Sequence, residues 1–210
     1  MKVGRRQQKS AQLRLKILSV ATKLAGKKSF DQLYVETICE KVGVSKVTFF
    51  KYFPQKDDIL LYYWRVWLFE RAVECSIEPK QGLDGIYYLN EKLADTFVKH
   101  PGIILGLISY ITRFDRPPAP IPLKALDRTL LHSKEEVEKI EILSLHQMLE
   151  NFVLEAIFRK EITLSSDTKE ISKVFLSIMY GSLVSGHLLQ VDYVKLYLKR
   201  NMDMALNGLK

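Results

Sequence analysis

Residues 45–56 bring hydroxyl, ammonium and aromatic side chains together at helical spacing. Lysine can donate to phosphates or to guanine acceptors, threonine can bond either, and valine or phenylalanine can contact a thymine methyl group. At about 100° per residue, Val47 and Lys51 face away from Phe49, with Thr48 and Phe50 on their flanks. This chemistry favours contact with double-stranded DNA. The candidate DNA-binding residues are Ser45, Lys46, Val47, Thr48, Phe50, Lys51, Tyr52 and Lys56.

Two interpretations stay open for three of these side chains. Thr48 and Tyr52 suit a DNA contact and packing inside the domain equally well, whereas Phe50 slightly favours packing. Only Lys46 and Lys51 are cations on this face, so direct readout of bases is expected to be sparse.

The elements that must position these side chains form a helix-turn-helix. Apolar residues recur at helical spacing over residues 35–42, and Gly43 then supplies the flexible backbone of a tight turn. Ser45 is a favourable N-cap for a second short helix. In that helix Phe49 and Phe53 lie four residues apart and can both point into a core.

The positive charge of the chain is concentrated around this motif. The chain has 210 residues and a formal net charge of +8, and residues 1–60 contain 13 Lys and Arg against 5 Asp and Glu. The remaining residues carry equal numbers of acids and bases, so the excess lies where a phosphate-binding module would need it. A merely solvated basic face is the alternative. Residues 1–9 are expected to form a basic tail that either orders on DNA or stays disordered, with the cations Lys2, Arg5, Arg6 and Lys9.

These residues resemble the N-terminal DNA-binding domain of the TetR family of transcriptional regulators. The resemblance is carried by the run VGVSKVTFFKYFPQKDDIL and, before it, by Arg14, Ile17, Leu18, Ala21, Leu24, Phe30, Val35 and Ile38. It implies an all-α homodimer in which the first three helices bind DNA and the others bind a small ligand. It also implies a phosphate contact for Lys56.

The sequence departs from the family pattern at several positions. Phe50 stands where the family usually has a phosphate-binding tyrosine, and Leu33 and Tyr34 replace threonines at the start of the second helix. Ser29 replaces a glycine after the first helix, and Ala25 replaces an aromatic residue. The changes at Phe50, Leu33 and Tyr34 put two common phosphate contacts in doubt.

The rest of the chain is predicted to be helical too, which gives an all-α protein with two domains. A DNA-binding domain is expected over residues 1–56 and a ligand-binding and dimerisation domain over residues 57–210. Prolines make residues 115–122 a loop. Helices are predicted over residues 10–25, 57–77, 84–100, 103–114, 134–160, 167–189 and 192–206.

Two stripes in the last helices predict a homodimer. Small residues recur every four positions on one helix, and an apolar seam runs along the other. Together with their symmetry mates they would form a four-helix interface, as the resemblance implies, unless both stripes are filled inside one subunit. The candidate interface residues are Ser177, Gly181, Ser185, Val194, Leu198 and Met202, and the seam continues to Leu209.

Ligand-responsive, sequence-specific regulation of transcription is therefore the predicted function, most simply repression released from a palindromic operator. Abundant aromatic residues favour a small apolar or aromatic effector, whose pocket the sequence does not locate. No catalytic motif, cofactor fingerprint or metal-ligand spacing is present, and neither cysteine has a partner, so a cytoplasmic protein that is not an enzyme is expected. An activator of the same family, or a basic adaptor for a protein or an anionic membrane, is the alternative.

Overall fold

The computed structural model describes residues 4–26, 28–132, 137–163 and 167–208, and within these ranges it is all-α, as predicted. The helices are α1 (Arg5–Ala25), α2 (Val35–Val42), α3 (Lys46–Tyr52), α4 (Asp58–Ile77), α5 (Gly82–Lys99), α6 (Pro101–Ile111), α7 (Ala125–Leu131), α8 (Leu145–Phe158), α9 (Thr168–Leu188) and α10 (Val194–Asn207). Short 3₁₀ turns occupy Phe30–Gln32 and Val137–Lys139. None of the helices in the described ranges has the length and apolar character needed to span a membrane.

The chain divides into two compact units. The first contains the chain up to Val73 together with His100–Ile142, and the second contains Glu74–Lys99 together with the chain from Leu143 onward. The division into a DNA-binding domain over residues 1–56 and a second domain over residues 57–210 concerns function and stays a prediction.

Helix α1 begins earlier than predicted. Its first turn is closed by Gln7 and Gln8, whose backbone N–H groups donate to the carbonyl of Gly4 at 2.9 and 3.2 Å. Glutamine, lysine and arginine are good helix formers, so the polar start of the chain continues the helix although it has nothing apolar to bury. Arg5, Arg6 and Lys9 therefore lie on exposed turns of α1, which corrects the prediction of a basic tail over these residues. Lys2, the first cation of that tail, lies outside the described residues.

The prediction of one long helix over residues 134–160 is wrong for its first half, because α8 begins only at Leu145. Ser144 starts it with a capping box, in which Gln147 N–H donates to Ser144 Oγ at 3.2 Å. Upstream, the Arg128 guanidinium donates to the carbonyls of Glu138 and Ile140 at 3.0 and 2.8 Å. In a continuous helix those carbonyls would accept hydrogen bonds from backbone N–H groups instead. Apolar spacing does not report this side-chain contact, so it predicts a helix where there is none. Lys134 lies outside the described residues.

The first unit is assembled around α1, which packs against α2, α6 and α7. Helix α6 approaches the segment after α1 so closely that a Cβ on Gly102 would lie 1.7 Å from the carbonyl oxygen of Lys28. Only glycine allows this approach. On α4, Tyr62 and Phe69 are fully buried, and the Tyr62 ring lies 5.7 Å from that of Phe53. This core is what holds the helix-turn-helix in place.

The second unit consists of α5, α8, α9 and α10, which pack against one another. Its centre includes three residues from α10, Leu198, Met202 and Leu206, each 2 % exposed or less. The apolar seam of α10 is thus filled inside the subunit. The interface assignment of Leu198 and Met202 is corrected accordingly, because neither side chain is accessible to a second copy. Leu209, the predicted end of the seam, lies outside the described residues.

Candidate nucleic-acid interface

The turn between α2 and α3 is built as the sequence predicts. Gly43 has φ 80°, in the left-handed region, and its N–H donates to the carbonyl of Cys39 at 2.8 Å. Ser45 Oγ then accepts from the backbone N–H of Thr48 at 3.2 Å, which caps α3. On the inner side of α3, Phe49 and Phe53 are 0 % and 1 % exposed, with ring centroids 6.0 Å apart. The inner face of α3 therefore anchors its direction.

The outer face of α3 is open to solvent. Val47 is 82 % exposed and Phe50 43 %, and Lys51 is exposed beside them. Thr48 is half-buried, and its hydroxyl lies 3.0 Å from that of Ser45. The T-shaped contact of the Phe50 ring with Phe49, at 5.3 Å, shows that Phe50 also packs partly inside the domain.

Lys46 is paired within the motif. Its ammonium group forms an ion pair with Glu36 on α2, and the pair is exposed. Hydrogen bonding to Lys46 is the main reason that the pKa of the Glu36 carboxyl is lowered. A phosphate approaching Lys46 would compete with this carboxylate, which is an inexpensive exchange because exposed ion pairs contribute little.

Lys56 is held by its own domain. Its Nζ donates to the carbonyl oxygens of Phe30, Asp31 and Leu33 at 3.2, 3.1 and 3.2 Å, and it lies 5.1 Å from the Phe30 ring centroid. An ammonium group has three N–H donors, so all of them are used here. Lys56 thereby fastens the residues just before α4 to the turn that precedes α2. A phosphate would have to replace one of these carbonyls, and the predicted contact stays a prediction.

Tyr52 lies beside a buried charge pair that the sequence did not reveal. The Arg14 guanidinium is 5.9 Å from the Tyr52 ring centroid and donates to Asp127 Oδ2 on α7 at 2.5 Å. The side chains of Arg14 and Asp127 are 12 % and 0 % exposed. Next to them, burial raises the pKa of the Tyr62 hydroxyl, and the negative charge of Asp127 adds to this. The two partners stand 113 positions apart, and no local signal in the sequence connects them.

A comparison with protein families identifies this region. The model described as "Bacterial regulatory proteins, tetR family" matches residues 17–63, which contain most of α1, all of α2 and α3, and the start of α4. No curated protein matches the chain. The matched range therefore includes the residues that build the turn, the cap and the exposed face of α3.

Solved structures extend the similarity to the whole chain as a fold. A TetR transcriptional regulator from a Rhodococcus species is 14 % identical, with a TM-score of 0.58, 95 % of this chain covered and 98 % of that one. For reduced NemR from E. coli the identity is 12 %, the TM-score 0.58 and the coverage 94 % and 96 %.

A third similar structure, FadR from Bacillus subtilis in complex with stearoyl-CoA, is 18 % identical with a TM-score of 0.52, and 93 % and 99 % of the two chains are covered. The Rhodococcus protein and FadR are both described as transcriptional regulators. The helix-turn-helix is thus matched in sequence by the TetR family model over residues 17–63, and the whole chain is similar in fold to TetR-family transcriptional regulators.

Proposed function

We propose that the protein is a ligand-responsive repressor that binds a palindromic operator as a homodimer and leaves it when a small apolar or aromatic effector binds. The observation that carries the proposal is the outer face of α3, where Val47, Phe50 and Lys51 are exposed on a helix whose opposite face is fully buried. Exposed apolar side chains on so short a helix suit a major groove, where they can contact thymine methyl groups.

Within this proposal Lys51 and Tyr52 contact phosphates or bases, and Lys46 exchanges Glu36 for a phosphate. Ser45 and Thr48 contribute hydroxyl groups at the N-terminal end of α3, the end of a recognition helix that generally meets the bases. The Phe50 ring contacts Phe49 on one side and the DNA on its exposed side. Lys56 holds the start of α4 in place, and its predicted phosphate contact requires one carbonyl to be released.

The effector signal is proposed to travel along α4. Close to the start of this helix, Asp58 accepts from the backbone N–H of Gln55 at 2.8 Å, and Lys56 binds three carbonyls of the turn before α2. Any displacement of the start of α4 would therefore be passed to the helix-turn-helix. The coupling can only equal the preference of the effector for one state over the other, commonly about 1 to 3 kcal/mol.

An apolar effector is proposed because the chain carries many aromatic side chains outside the helix-turn-helix. On α4, Trp64 and Trp67 stack at 4.7 Å with their planes 4° apart, and Phe69 is fully buried. The similar FadR structure contains stearoyl-CoA, a ligand with a long apolar chain. Such ligands bind in largely apolar cavities with few polar anchors.

The proposed dimer uses the exposed face of α9. Val174 and Leu188 are 49 % and 73 % exposed, and Ser177 and Gly181 are exposed between them on the same face. A Cβ on Gly181 would meet no atom within 4 Å, so this stripe is open in the subunit. Ser185 is half-buried, and its hydroxyl oxygen lies 3.2 Å from that of Tyr197. Val194 is half-buried at the start of α10. The interface proposal therefore rests on Ser177 and Gly181, with Ser185 and Val194 at its edge.

The proposal is tested by selecting tight binders from a random duplex pool with the full-length protein. We expect a palindromic consensus, because a two-fold dimer places two recognition helices on two half-sites. Fluorescence anisotropy of the selected duplex should then show affinity that falls steeply with salt. Stearoyl-CoA and a series of aromatic compounds, added to the complex, should include at least one that releases the duplex. A protein that enriches no sequence and binds DNA weakly and without salt dependence would contradict the proposal.

A further inference from the structure

A groove of about 800 Å³ lies beside α3, between α1 and α7. Its walls come from the first turns of α1, the C-terminal end of α3 and the N-terminal end of α7. Each wall contributes one exposed cation to the groove: Arg6 from α1, Lys51 from α3 and Lys124 from the start of α7. Of the three, only Lys51 belongs to the helix-turn-helix.

The groove is positively charged on balance. Among the described residues, none forms an ion pair with Arg6, Lys51 or Lys124. Arg14 and Asp127 also line the groove but neutralise each other at 2.5 Å. The remaining acid of the lining is Glu138, whose carboxylate accepts from the Thr129 hydroxyl at 3.0 Å. Within the part of the chain that the structure describes, three cations without an ion-pair partner therefore face one exposed carboxylate.

We propose that this groove holds phosphates of the operator backbone, and that Lys124 is a DNA contact outside the helix-turn-helix. The inference rests on the proposed function, because it takes α3 as the helix that meets the DNA. Lys51 is on the outer face of α3 and also lines the groove, so the groove opens where the backbone flanking α3 must pass. Charge complementarity then assigns Arg6 and Lys124 to that backbone.

A contact of this kind positions the protein without reading sequence. Removing it should weaken all duplexes to a similar extent, and should reduce the salt dependence of binding in a predictable way. Each lost phosphate contact lowers the slope of log K against log[salt] by about 0.9, so a dimer that loses two contacts should change by about 2.

The experiment measures anisotropy of the selected operator with the full-length protein from about 50 to about 200 mM KCl. The variants are Lys124→Ala, Lys124→Arg, Lys51→Ala and the control Lys199→Ala, an exposed lysine on α10. We expect Lys124→Ala to lower the slope and to weaken binding about tenfold or more at 100 mM KCl, with an unchanged consensus. Lys124→Arg should retain the slope, and Lys199→Ala should match the wild type.

A slope for Lys124→Ala equal to that of Lys199→Ala would overturn the inference, and so would an altered consensus with an unaltered slope. Thermal melting of each variant establishes that it is folded, which the exposure of Lys124 predicts. If the wild type selects no operator at all, the proposed function itself fails. If Lys51→Ala loses affinity while Lys124→Ala does not, only the assignment of the groove fails.

Discussion

At the scale of single residues, Lys56 shows how a cation beside a DNA-binding motif can act within the protein. Three carbonyl oxygens from the turn before α2 surround its ammonium group. These carbonyls come from residues that end one element and begin the next, where backbone groups lack helical partners. A lysine at this position therefore stabilises the loop between α1 and α2 whether or not it also meets a phosphate.

The stability of the free protein tests this role. Lys56→Met keeps the length of the side chain and removes its three donors, so we expect it to lower the free energy of unfolding by about 1 to 2 kcal/mol. Lys51→Met is the matched control, since Lys51 is exposed and should change the free energy of unfolding by about 0.5 kcal/mol or less. Urea denaturation in the absence of DNA measures both. Equal midpoints for the two variants would show that the three contacts contribute nothing.

At the scale of elements, the buried pair of Arg14 and Asp127 joins α1 to α7. Helix α7 has only seven residues and would not be stable alone. Asp127 Oδ2 accepts both from Arg14 and from the backbone N–H of Lys124, at 2.5 and 3.2 Å, so one carboxylate attaches α7 to α1 and caps α7 as well. Position and stability of α7 thus depend on a residue of the DNA-binding part.

Removing one charge of the Arg14–Asp127 pair should lower the free energy of unfolding more than removing both charges. Arg14→Met leaves a fully buried carboxylate without its counter-ion, and we expect a loss of about 3 to 5 kcal/mol in the free energy of unfolding. The double variant Arg14→Met with Asp127→Asn should recover at least about 2 kcal/mol of this, because the amide carries no charge and still accepts from Lys124 N–H. Denaturant titrations of the two proteins decide the point, and a double variant no more stable than Arg14→Met would refute it.

At the scale of the whole molecule, the open stripe on α9 should affect the stability of the subunit and the association of the proposed dimer in different ways. Gly181 is helical and a Cβ there meets nothing within 4 Å, so Gly181→Ala should stabilise the isolated subunit by about 0.5 to 1 kcal/mol. Gly181→Arg should leave the fold intact but prevent a second α9 from approaching. Sedimentation equilibrium should then show a monomer, with Val98→Arg on the exposed face of α5 as a dimeric control. A dimer that persists in Gly181→Arg would place the interface elsewhere.

The sequence predicted local structure well and long-range pairing poorly. Gly43, Ser45, Phe49 and Phe53 act on neighbours within a few residues, and the motif that they predict is confirmed. The interruption before α8 was missed because the carbonyls there bind a side chain from another helix, Arg128.

Contacts between distant parts of the chain could not be predicted from the sequence for a related reason. Apolar spacing on α10 predicts a seam at Leu198 and Met202, but it does not state whether helices of the same subunit or of a second copy cover it, and the structure fills it inside the subunit. The same limit applies to the candidate site. The exposed face of α3 follows from helical geometry, whereas the groove shared with α7 depends on a segment more than 70 residues away, whose approach no periodicity encodes.

The first unit joins two separate stretches of chain, and this has a consequence for exchanging parts between relatives. A chimera joined directly after the helix-turn-helix would supply Arg14 from one parent and residue 127 from another, leaving a buried charge unmatched wherever the parents differ. Grafting a new operator specificity onto this protein should therefore transplant the outer face of α3 alone, or carry residues 100–142 along with the N-terminal helices.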